Sequence, residues 1–222
     1  MLEACGEQAG RLDVRGARVS RAVDAAVWDE LSAHLGTYGT GLAFAATAPG
    51  PRAYGVVALA DMTSATFGDA LRRHCRHHRL LKEDVAALLL ETPSAATVFL
   101  ATPCGRLALP PAMAEAAIAP YAVHARAWTG REVTPEEVRF EHCQPRDATL
   151  YEELFGCPVL FEQSVTCIRF AREVLDLPLC TRSARSASSS TRAPTKSSRG
   201  WAAARSRSWP TARSRPSWAG AR

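Results

Sequence analysis

The stretch VAALLLETPSAATVFLATPCGRLALPPAMAEAAIAPYAVHARAWTG, residues 85–130, sets the fold class. Its first two runs, Val85 to Leu90 and Ala95 to Ala101, are β-like and are joined by the tight Glu91-Thr92-Pro93-Ser94 connection, so they read as a hairpin. Pro110 and Pro111 then open a helix, where a missing N–H costs little in the first turn. That helix carries Met113, Ala117, Tyr121, Val123 and Trp128 and stops at Gly130. Antiparallel hairpins interleaved with helices predict an α+β domain.

Working upstream, Val19 to Leu35 has Ser20 as a cap, apolar residues at Val23, Val27, Leu31 and Leu35, and Gly36 as a stop, which predicts an amphipathic helix. The GTYGTG run at 36–41 has the glycine content of a phosphate loop. Its order and the lack of a following lysine make it a helix cap and inter-helix turn instead. Residues 42–48 and 54–60 are short apolar segments of either type, divided by Pro49-Gly50-Pro51. Ser64 or Thr66 then caps a helix whose stripe is Phe67, Leu71, His74, His78 and Leu81, with Arg72, Arg73, Arg76 and Arg79 covering much of the rest. Downstream of Gly130, Val138 to Glu141 reads as a strand and Asp147 to Phe155 as a helix closed by Gly156. Val159 to Glu162 and Thr166 to Phe170 read as two more strands, and Ala171 to Leu175 as a last helical turn.

Charge divides the chain. Ten of the 27 basic residues and none of the 22 acidic ones fall in residues 181–222, so residues 1–180 carry a formal charge of −5 although the whole carries +5. Residues 181–222 contain no Leu, Ile, Val, Phe, Tyr or Met, which predicts a disordered basic tail. The abrupt change near Thr181 fits a gene read out of frame. The organisation expected is an arm at 1–18, a helix-rich single domain at 19–180 and the tail at 181–222. Seven cysteines, odd in number and without a C-x-x-C pair, predict reduced thiols. With no export signal and no apolar run of membrane length, the expected location is the cytoplasm.

Catalytic motifs are missing: there is no G-x-S-x-G elbow, H-E-x-x-H or Walker loop, and the adjacent pairs Glu136/Glu137 and Glu152/Glu153 point apart and read as solvated. The chain does not read as an enzyme, and no cofactor is expected. His74 and His78 have the i,i+4 spacing of a metal pair, but no third ligand is identifiable, so they read as core or pocket histidines and no metal site is predicted. A stand-alone binder of a small molecule, haem or metal through His74, His77 or His78 is the alternative reading. A single-strand nucleic-acid binder using the Arg/Trp tail is a third.

Four strings carry a family resemblance: Ser64 to Leu81; Val138-Arg139-Phe140-Glu141-His142 with Pro145; Tyr151 with Phe155-Gly156-Cys157-Pro158-Val159-Leu160-Phe161; and Ile168-Arg169-Phe170 with Leu175-Asp176-Leu177-Pro178-Leu179. Together, from about Arg18 to Leu179, the chain resembles the N-terminal domain of AraC-type transcriptional regulators, in the branch called the arabinose-binding domain. The resemblance implies a module that senses a small-molecule effector or mediates homodimerisation, in proteins whose C-terminal helix-turn-helix units read DNA. Residues 181–222 leave no room for two such units, so sequence-specific DNA binding is not expected from this chain. Phe155, Gly156, Cys157, Pro158 and Phe161 read as a packing corner, with Gly156 supplying a left-handed turn. His74, His78 and Tyr121 are the candidate walls of an effector pocket.

Overall fold

The computed structural model describes residues 18–47, 55–102 and 109–180. The expectations for the arm, the tail and the Pro49-Gly50-Pro51 break lie outside the described residues. The elements are helices α1 (Arg21–Leu35), α2 (Thr40–Thr47), α3 (Gly55–Asp61) and α4 (Phe67–His77), strands β1 (Ala86–Glu91) and β2 (Ala95–Ala101), and helix α5 (Pro111–Thr129). Strand β3 (Glu137–Arg139), helix α6 (Thr149–Phe155) and strands β4 (Val159–Leu160) and β5 (Cys167–Ala171) follow, and a 3-10 turn, Arg172–Asp176, closes the set. The α+β reading is thus observed. Both undecided apolar segments are helical, as α2 and α3. No helix among the described residues is long and apolar enough to cross a membrane.

One five-stranded sheet, in the order β1-β2-β5-β3-β4, holds every strand named here. The β1–β2 hairpin pairs antiparallel with Leu88 opposite Phe99, and β5 adds to β2 with Ile168 opposite Val98. The later strands do not form a second hairpin: β3 lies between β5 and β4 and pairs parallel with β4. Alternation places Ala87, Val98, Ile168, Phe170 and Val138 on the buried face, while Leu88 and Leu90 remain exposed on the other. Glu136 and Glu137 are not simply solvated. Sheet pairing brings Arg169 beside Glu136 at 2.8 Å, and Arg139 holds half-buried Glu137 at 2.6 Å.

Local capping follows the sequence. Ser20 Oγ accepts from Val23 N–H to start α1, and Thr66, rather than Ser64, accepts from Asp69 N–H to start α4. The 175–179 string anchors the start of α4, where Leu177 C=O accepts from Phe67 N–H at 2.9 Å and Leu179 N–H donates to Ala65 C=O at 3.1 Å. A Cβ on Gly68 would meet Leu175 Cβ and its carbonyl oxygen at 2.9 Å. Two of the quoted strings therefore pack on each other.

In the 155–161 corner Phe155 is fully buried, Phe161 is partly buried, and Gly156 stands at φ +69°. Phe140 gathers Tyr151, Phe155 and Phe161 at 5.6, 6.2 and 6.0 Å between ring centroids. Pro158 C=O accepts from Val138 N–H at 3.1 Å. Cys157 is half-buried beside it, and burial pushes its thiol up to about 11. What the sequence does not reveal is Arg126. Its guanidinium donates to Val133 O, Leu154 O and Phe155 O at 2.8, 2.6 and 2.9 Å, closing the C-terminal end of α6. Arg126→Lys keeps the charge but not the three-way fork. Chemical unfolding should show a loss of about 2 kcal/mol; an unchanged midpoint would mean that these carbonyls find other donors.

Candidate functional site

A pocket of about 770 Å³ opens between α1, α3, α4 and α5, within the size range of small-molecule sites. Trp28, Phe44, Val57, Leu71, Met113 and Trp128 supply its apolar wall. Trp28 meets Phe44 edge-on with centroids 5.9 Å apart, which joins α1 to α2. Four of the five charged residues that line the pocket pair with one another. Arg18 reaches Glu83 at 2.8 Å and Lys82 reaches Asp24 at 2.6 Å, tying α1 to the loop before β1.

Four rings form the polar part of the wall. His74 on α4 and His78 in the following turn sit one helical turn apart, with centroids 5.4 Å apart at 70°. Tyr121 of α5 stands edge-on to His74 at 5.5 Å. His124 of α5 stacks on Trp128 at 4.3 Å and 9°. Hydrogen bonding fixes both α4-side imidazoles. His74 Nδ1 lies 2.8 Å from Oδ2 of Asp61, and His78 Nδ1 lies 2.9 Å from Val85 O. A carbonyl can only accept, so Nδ1 of His78 carries the proton and Nε2 is the ring atom of His78 that remains for a ligand.

Burial sets the charge of this wall. It lowers the basicity of His78, with His74 adding to the effect, and it pushes His124 down to about 4. It also raises the Tyr121 phenol well above its ordinary range, which keeps it protonated. Cys75 is partly buried; desolvation, with Asp61 adding to it, pushes its thiol up to about 12, so it is no thiolate. Among the described residues, the Tyr121 hydroxyl and Asp61 Oδ1 are buried without a hydrogen-bond partner.

The three residues singled out as pocket walls, His74, His78 and Tyr121, all line this one cavity. None of the five corner residues does. Asp61, His124 and Trp28 carry no such expectation from sequence. His124 is nonetheless readable, since Met113, Ala117, Tyr121, His124 and Trp128 recur at three- and four-residue spacing along α5. Asp61 gives no such signal, because its partner is 13 residues away on another helix. Among the described residues, no group of three or more His, Cys, Asp or Glu side chains is placed to hold a metal ion.

The glycine run meets a different carboxylate. Glu115, buried in α5, accepts from Gly39 N–H and Gly41 N–H at 2.9 Å each and from the Tyr151 hydroxyl. The anion-binding start of α2 is thus filled by the protein itself, which is why a glycine-rich loop here serves packing rather than phosphate.

A family model described as the arabinose-binding domain of AraC transcription regulator, N-term, matches residues 1–179. The chain belongs to that family. A comparison with curated proteins returns no match. Among solved structures, the crystal structure of the transcriptional regulator CdpR from Pseudomonas aeruginosa aligns with a TM-score of 0.57 at 18% identity, over 77% of this chain and 55% of that one. At that identity the likeness shows a shared fold, and the chain spans about half the length of that regulator. In this AraC-type domain, the strings that marked the family lie mostly in the α4 to 3-10 contact and in the 155–161 corner. The cavity is lined from α1, α3, α4 and α5.

Proposed function

We propose that residues 18–180 are the effector-sensing domain of an AraC-type regulator, and that the effector occupies the cavity bounded by α1, α4 and α5. The observation that carries this reading is the convergence of His74, His78 and Tyr121 on one largely apolar cavity whose rim ion pairs tie α1 across its edge. Ligand entry would work against those ties, which gives binding a route to the position of α1. Operator recognition is not assigned to these residues, since 18–180 hold 15 basic and 19 acidic side chains and phosphate contacts need a basic face. Homodimerisation belongs to the same reading as a family expectation.

Thermal denaturation of the chain against a panel of small metabolites tests this. A binder at 100 times its Kd should stabilise the fold by about 2.7 kcal/mol. Ala117→Trp, which fills the cavity from α5, should abolish the shift. A binder that stabilises the filled variant equally, or a panel in which nothing raises the melting temperature, would count against this site.

A further inference from the structure

We propose, resting on that reading of the cavity, that its ligand is an uncharged, ring-bearing molecule that presents one hydroxyl or N–H donor to the His78 imidazole. The apolar wall of Trp28, Phe44, Leu71, Met113 and Trp128 offers flat and aliphatic surface to a ring. Ion pairing at the rim sets the ligand's neutrality. Arg18, Glu83, Lys82 and Asp24 neutralise one another two by two, Asp84 is the fifth charged residue of the lining and has an interaction of its own, and Asp61, fully buried, is already bonded to His74. A carboxylate or ammonium entering the cavity would compete with these pairs for its counter-ion, and an ion desolvated without a partner is strongly disfavoured.

The donor requirement comes from the acceptor. The Nδ1 proton of His78 is spent on the Val85 carbonyl, so its other ring nitrogen, in an imidazole whose basicity burial lowers, offers a lone pair. A ligand that brought only acceptors would leave this nitrogen unmatched.

Isothermal titration of the full chain with 2-naphthol, 2-naphthoate, 2-naphthylmethylammonium and naphthalene compares one ring system carrying a donor, an anion, a cation and nothing. 2-Naphthol is expected to bind at least about tenfold more tightly than each of the others. His78→Asn keeps an amide N–H for the Val85 carbonyl while removing Nε2. In that variant the preference for 2-naphthol over naphthalene should fall to about threefold or less. His78→Gln, which also keeps an amide N–H, is the second variant should the first unfold. Equal or tighter binding of the naphthoate or the ammonium overturns the charge assignment and means that a rim ion pair opens to meet the ligand. Equal binding of naphthol and naphthalene overturns the donor requirement, and a preference that survives in the His78 variants overturns His78 as its acceptor. Failure of all four to bind overturns the ring commitment. Each of these leaves the sensor reading standing as long as Ala117→Trp blocks whatever metabolite the thermal panel finds.

Discussion

Gly41→Ala is expected to destabilise the domain by about 4 kcal/mol, measured by urea unfolding, and Gly55→Ala by only about 1 kcal/mol. The two glycines differ in what surrounds them. A Cβ at Gly41 would lie 2.1 Å from Ala112 O, 2.5 Å from Ala116 N and 2.6 Å from Glu115 Cβ. Two of those atoms are backbone of α5 and cannot rotate aside, so α2 and α5 must separate. Separation also pulls the Gly39 and Gly41 N–H groups away from the buried Glu115 carboxylate, leaving donors and acceptor unpaired. Gly55, by contrast, has nothing within 4 Å of a built Cβ, and its cost comes from φ +64° alone. A Gly41→Ala variant within about 1 kcal/mol of the parent would mean that the α2–α5 contact is far more yielding than its geometry states.

That pair of residues shows where sequence reading stops. The periodicities of α1, α4 and α5, their caps Ser20, Thr66 and Gly130, and the β1–β2 hairpin are legible because each is a local pattern enforced by neighbours within a few positions. The apolar segments that form α2 and α3 are not, since short runs of Ala, Leu and Val suit a buried strand or helix equally and only tertiary contact decides. Glu115, Asp61 and Arg126 are invisible for a related reason. Each is a polar residue whose partners lie on other segments: Gly39 and Gly41, His74, and the carbonyls of Val133, Leu154 and Phe155. The glycine run reads from sequence as a cap and turn between helices, but its partner, 74 to 76 residues away, cannot be named from it.

The candidate site is legible to the extent that the helical stripe reports it. His74 and His78 share a face by spacing, and Tyr121 recurs with Met113 and Trp128, so three walls of one cavity are nameable without knowledge that they meet. The state of those side chains is not nameable, because charge in a wall depends on burial and on which ring nitrogen is engaged. The sheet order is hidden for a comparable reason. Two-residue β4 and three-residue β3 are too short to show alternation, and their parallel pairing is fixed by the corner that leads from α6.

His124 gives that electrostatic state a measurable consequence. Burial pushes its imidazole down to about 4 from an ordinary 6.5, with His74 contributing, so between those two values the unfolded chain binds a proton that the folded chain refuses. Folding stability must therefore rise with pH across this window and fall as the solution is acidified from 6.5 toward 4. The expected loss attributable to His124 is about 3 kcal/mol, since a tenfold change in proton affinity is worth about 1.4 kcal/mol. His78, also lowered, acts in the same direction. Buried Glu115, whose carboxyl burial raises above its ordinary value, acts in the opposite one, because its neutral form is favoured in the fold and its stabilisation fades as pH climbs through that raised value. Comparing the parent with His124→Phe isolates the single group: phenylalanine keeps a ring to stack on Trp128 but has no proton to take up. The difference in unfolding free energy between the two proteins should change by about 3 kcal/mol between pH 6.5 and 4, and two parallel curves would show that the His124 imidazole is not held neutral. Protonating this residue would place a cation in a largely apolar wall. The same titration should then weaken an uncharged ligand in step with the loss of stability, tying the fold's pH dependence to the cavity.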